Sequence, residues 1–98
     1  MATLYISEHV QMSTLEGNNG ACVDEPGTDQ APIAIAGAAQ SAAFAAGTKY
    51  IRVHTDAICS ILFGANPTAT TANKRLAANQ TEYFRVFPGM KLSVIANT

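Results

Sequence analysis

Apolar and polar side chains alternate with a period of two along several short segments of this chain, the spacing of strands that bury one face. In Lys49-Tyr50-Ile51-Arg52-Val53-His54 this turns Ile51 and Val53 inward and Arg52 and His54 outward. Thr81 to Phe87 repeats the pattern, with Phe84 and Val86 on one face and Tyr83, Arg85 and Phe87 on the other. Met90 to Ala96 follows with Leu92 and Val94 inward, and Pro88-Gly89 between them fits the central positions of a type II turn, so the two segments are expected to form a hairpin. Ala57 to Phe63 is almost continuously apolar, as in a strand covered on both sides. Thr3 to Ser7 is β-branched and aromatic, and Pro32 to Gly37 alternates large and small apolar groups. Ala21-Cys22-Val23 is a further short strand, and the alanine-rich run 38–46 is read as strand around Ser41–Phe44. The core is expected to hold Ile51, Val53, Ile61, Phe63, Phe84, Val86, Leu92 and Val94.

The breaks between these segments have turn chemistry. Asn18-Asn19-Gly20, Pro26-Gly27-Thr28-Asp29, Thr55-Asp56 and the loop Gly64 to Asn73 supply residues that accept positive φ or preset a turn. Seven or eight short strands spaced in this way predict an all-β fold, a small antiparallel β-sandwich or barrel, jelly-roll-like. No stretch has the pattern of an amphipathic helix, and no fixed-period repeat occurs.

Composition narrows the picture. The 98 residues make one domain's worth of chain. Eighteen are alanine, which buries little area, so the core rests on a few large side chains. A net charge of −1 argues against nucleic acid as a partner, because that surface must be concentrated and basic. No apolar run reaches the roughly 20 residues of a membrane span, and the first ten residues lack the pattern of a secretory leader.

The charges are unevenly placed. Residues 1–30 hold five acids and no Lys or Arg, whereas 31–98 hold six bases against two acids. This divides the chain into an N-terminal strand with an acidic, turn-rich arm (1–30) and a β-sandwich domain (31–98). The arm is expected to reach a neighbouring subunit through the strand Leu4-Tyr5-Ile6, by addition to an exposed sheet edge. The rival expectation is that this strand pairs within its own sheet. The residues expected at the interface are Leu4, Tyr5, Ile6, Glu16, Asp24, Glu25, Arg52, Lys74 and Arg75.

Reactive constellations are sparse. Cys22, Cys59, His9 and His54 are scattered, with none of the close spacings of a zinc site, and Cys59 reads as a small buried hydrophobe. His9 and His54 read as solvated surface side chains, and Asp24-Glu25 beside Pro26-Gly27 as an acidic turn. GNNGACVDEPG lacks the Lys-Ser/Thr ending of a phosphate loop. The expectation is therefore no catalytic residues, no cofactor and no metal.

Between Gly47 and Ile95 the chain resembles small proteins encoded beside the capsid genes of tailed bacteriophages. The residues that carry the resemblance are Ile51-Arg52-Val53-His54, Asp56-Ala57-Ile58-Cys59, Gly64-Ala65-Asn66-Pro67-Thr68-Ala69-Thr70 and Glu82-Tyr83-Phe84 leading to Pro88-Gly89-Met90-Lys91. They cover about half of the chain. The resemblance implies a head decoration (cement) protein of the virion, assembled in the host cytoplasm. Its expected partners are the major capsid protein and copies of itself, as a homo-oligomer. The alternatives are a tail or fibre-attachment module of the virion and, with less in its favour, a cupin-like small enzyme or sugar-binding β domain.

Overall fold

A computed structural model of the chain describes residues 2–10 and 25–97. These fold into nine strands with no helix: β1 (Thr3–His9), β2 (Thr28–Asp29), β3 (Ile33–Ala34), β4 (Ala39–Gln40), β5 (Tyr50–Thr55), β6 (Cys59–Gly64), β7 (Lys74–Leu76), β8 (Thr81–Arg85) and β9 (Lys91–Ala96). All pairings are antiparallel, in two sheets. The first sheet runs β2-β1-β5-β8, with β3 also on β1; the second runs β4-β9-β6-β7. The fold is a small all-β sandwich.

Period-two alternation builds the core. Leu4 and Ile6 of β1 and Ile51 and Val53 of β5 point from the first sheet toward Cys59 and Ile61 of β6 and Leu92 and Val94 of β9. Ile35, Phe44, Leu76 and Val86 close the layer from the connections and from β7. Six of the eight core residues expected from the sequence are buried; Phe63 and Phe84 are half-buried and pack against the core with ring centroids 5.1 Å apart. Ser60 is fully buried although it points away from this layer, because Asn97 Nδ2 crosses over it and donates to its hydroxyl at 2.7 Å. The continuous apolar reading of that strand thus reflects cover on both faces.

Several expectations need correction. Thr81–Phe87 and Met90–Ala96 do not form a hairpin, since β8 pairs with β5 and β9 pairs with β6 in the opposite sheet. The turn itself is as expected: Gly89 has φ of +84° and Met90 N–H donates to Phe87 O at 3.2 Å. A type II Pro-Gly turn twists against the strands of a tight hairpin, and here it carries the chain across the sandwich instead. The strand expected at Ser41–Phe44 falls earlier, at Ala39–Gln40, and the segment then runs beside β9 on two bonds, Ser41 N–H to Leu92 O and Phe44 N–H to Met90 O. The short strand β2 falls in a predicted turn, and β7 directly follows the predicted loop Gly64 to Asn73, where no strand is expected.

β1 sits inside the first sheet, with β5 on one side and β2 and β3 on the other. Leu4 and Ile6 are at most 2% exposed, so their side chains belong to the chain's own core and are not available to a neighbour. Glu16, Asp24, Cys22 and the turn Asn18-Asn19-Gly20 lie outside the described residues. His9 is 3% exposed, not solvated, because the segment entering β2 crosses its ring. A Cβ on Gly27 would fall 2.8 Å from His9 Nδ1 and 2.9 Å from Glu8 O, so this close approach requires glycine.

Candidate binding face

With the inward residues of β1, β5 and β8 committed to the core, the intervening residues form the outer face of the first sheet. Register places Tyr5 opposite His54 and His54 opposite Thr81. The next row is Asp29, Ser7, Arg52 and Tyr83, each opposite the one before. Tyr50 stands opposite Arg85 in the row beyond. The result is a surface of tyrosine, arginine and histidine with Tyr5 and Tyr83 nearly half exposed.

A depression of about 540 Å³ lies on this face, lined by Tyr5, Ile6, Ser7, Asp29, Gln30, Pro32, Arg52 and His54. It exists because the strand along the far edge of β1 is broken. Between the pairs Ser7–Asp29 and Leu4–Ile33 the register slips by one residue, an inserted residue as in a β-bulge. Pro32 sits in the interruption, a place where its missing N–H costs no ladder bond.

The polar groups here are partly fixed. Ser7 Oγ donates to Asp29 Oδ1 at 2.6 Å. The His54 ring lies 6.4 Å from that of Tyr5, and its Nδ1 is 2.8 Å from Thr81 Oγ1. Its Nε2 is 3.8 Å from Asp56 Oδ1, longer than a hydrogen bond. The Thr81–His54–Asp56 row therefore lacks the tight carboxylate–imidazole bond that orients a general base. Arg52 has no carboxylate partner among the described residues, and its guanidinium keeps its donors for an incoming acceptor. No group of three or more His, Cys, Asp or Glu side chains is placed to hold a metal ion among the described residues. No helix among them is long and apolar enough to cross a membrane.

Behind the face, Glu8 locks the end of β1 to the loop before β5. Its carboxylate accepts from Thr48 Oγ1 at 2.6 Å, Ala45 N–H at 2.9 Å and Gln30 Nε2 at 2.9 Å. Burial pushes this carboxyl up, but the three donors more than offset it and hold it below its ordinary value. Gln30 continues the bridge, its Oε1 accepting from Ala42 N–H at 3.2 Å. Glu8, one of the five acids of residues 1–30, is thus consumed inside the domain. Cys59 is a free, buried thiol pushed up by burial, with Thr55 Oγ1 3.5 Å away acting in the opposite direction.

Of the residues expected at an interface, Tyr5 and Arg52 meet on this face. Lys74 and Arg75 are on β7 in the other sheet, where Lys74 Nζ sits 5.1 Å over the Phe84 ring. Glu25 is exposed and its Oε1 accepts from Gly27 N–H at 2.7 Å. Ser7, Asp29, Gln30 and Pro32 were not singled out by the sequence. Alternation along β1 already points Ser7 outward, but only the register brings Asp29 to it.

No family model, curated protein or solved structure matches the chain.

Proposed function

We propose that this protein is a binding module of a tailed-bacteriophage virion, a head decoration protein that attaches to the major capsid protein through the outer face of its first sheet. The observation that carries the reading is the surface of exposed Tyr5 and Tyr83 and half-buried Arg52 and His54 around a depression whose arginine has no partner among the described residues. Tyrosine and arginine are the residues that anchor protein–protein contacts, because they bury a large flat area and end in a polar group that finds a specific acceptor. The resemblance of residues 47–95 to proteins encoded beside capsid genes supports the choice of partner. The chemistry that completes the depression is a carboxylate or carbonyl for Arg52 on an extended or looped segment that covers Tyr5. Each contact is modest, and repetition over a closed shell makes attachment firm.

Co-sedimentation with empty heads tests this. The parent protein pellets with heads, and Arg52→Ala weakens that association at least tenfold while melting like the parent. Equal binding by Arg52→Ala and by the double variant Tyr5→Ala/Arg52→Ala removes this face from the attachment.

A further inference from the structure

A β-sandwich has sheet edges whose unpaired N–H and C=O groups must be blunted or paired. Three of the four edges here are blunted. β4 is two residues long, and β7 is three residues with Lys74 and Arg75 exposed. The β2/β3 edge is interrupted by the one-residue slip and by Pro32. β8 is different: five residues, without a break or a proline, pairing with β5 on one side alone among the described residues.

The hydrogen-bond phase on β8 is fixed at its two ends. Val86 N–H donates to Lys49 O at 2.8 Å and Thr55 N–H donates to Gln80 O at 3.1 Å. Bonded pairs in an antiparallel ladder recur every second residue, so Glu82 and Phe84 spend their backbone groups on β5. The N–H and C=O groups of Thr81, Tyr83 and Arg85 point out of the free edge.

We propose that this edge joins two copies of the chain, β8 pairing antiparallel with its own copy about a two-fold axis at Tyr83. The register that uses the whole strand sets Thr81 opposite Arg85 and Tyr83 opposite Tyr83, so the two first sheets become one continuous sheet. The self-complementarity extends to the side chains. On the outer face the two Tyr83 rings become direct cross-strand neighbours, a favourable aromatic pair. On the inner face Glu82 comes opposite the Phe84 of the second copy, the ring over which that copy's Lys74 sits at 5.1 Å. Glu82 has no cation partner among the described residues; it accepts one bond from Gln80 Nε2 at 2.6 Å. The pairing thus brings a carboxylate to an ammonium twice, once on each side of the axis, as an isologous interface requires. It also carries the two Tyr5–Arg52 faces on the same side of one sheet. The pairing does not depend on a shell, so it stands apart from the attachment proposed above.

Sedimentation velocity of the full chain decides it, with Tyr83→Lys and Tyr83→Glu as variants. The parent sediments as a species of about twice 10.2 kDa. Each variant alone places like charges opposite one another and sediments as the single chain, and an equimolar mixture recovers the dimer. Amide exchange needs no variant: Thr81, Tyr83 and Arg85 become protected as parent concentration rises. A parent that stays at 10.2 kDa at every concentration, a dimer unchanged in Tyr83→Lys, a mixture that stays monomeric with both variants melting like the parent, or edge amides that exchange fast at all concentrations would each overturn the proposal.

Discussion

Replacing Glu8 by Gln changes one atom of a buried network and so isolates what the carboxylate does. The wild-type Oε1 serves Thr48 Oγ1 and Ala45 N–H together, and Oε2 serves Gln30 Nε2. A glutamine keeps Oε1 toward the first two and turns its own amide NH₂ against that of Gln30. Gln30 cannot rotate its amide freely, because its Oε1 accepts from Ala42 N–H. Two charge-assisted bonds become neutral ones and one becomes a donor–donor contact. With charge-assisted bonds worth about 1.5–3 kcal/mol and neutral ones about 1, the two weakened bonds and the lost one together cost at least about 2.5 kcal/mol. In a domain of this size that lowers Tm by at least roughly 10 °C. The carboxyl is held below its ordinary value in the folded protein. Its contribution is therefore present at neutral pH and is lost as pH falls through the folded value. Thermal melts followed by circular dichroism from neutral to acidic pH should show the parent converging on Glu8→Gln at low pH, with a flatter profile for the variant. A variant that melts within about 2 °C of the parent at pH 7, where surface changes of about 0.5 kcal/mol fall, refutes the network's role.

Deleting residues 1–10 should unfold the domain rather than merely detach it, because burial of Leu4 and Ile6 alone contributes several kcal/mol of a total of about 5–15; a truncated chain with a cooperative melt contradicts the placement of β1. Phe84→Ala should cost about 2–3 kcal/mol in denaturant unfolding, below the loss for a fully buried phenylalanine, since Phe84 is half-buried between Phe63 and Lys74; a loss above about 4 kcal/mol marks it as a full core residue. In a Cys22→Ser background, Cys59 should react with an aromatic disulfide reagent only as fast as the domain opens, being buried and pushed up in pKa; prompt reaction under native conditions contradicts its burial.

Much of the fold was legible because alternation survives without tertiary context. Ile51, Val53, Leu92 and Val94 declare their inward direction from period two alone, and each is fully buried. Which strands pair was not legible. Pro88-Gly89 marks a turn wherever the chain goes next, and only packing decides that β9 crosses to β6 instead of returning on β8. β2 and β7 are held by their partner strands more than by propensity, so Thr28-Asp29 reads as a turn and Lys74-Arg75 carries no strand pattern. Arg52 could be placed on an outer face from its neighbours. Its depression could not, because it depends on a slipped register between segments more than twenty residues apart along the chain. The acidic character of the first thirty residues suggested an outward role, yet Glu8 is drawn inward by Thr48, Ala45 and Gln30, none of which is visible to local pattern.

Counting this chain in purified virions, against the major capsid protein of the same particles, goes to the centre of the functional reading. A decoration protein is present in numbers that scale with the shell's own subunits, and it is lost from heads assembled with Arg52→Ala while the heads themselves still form. A handful of copies per particle, or none, contradicts a place on the head surface.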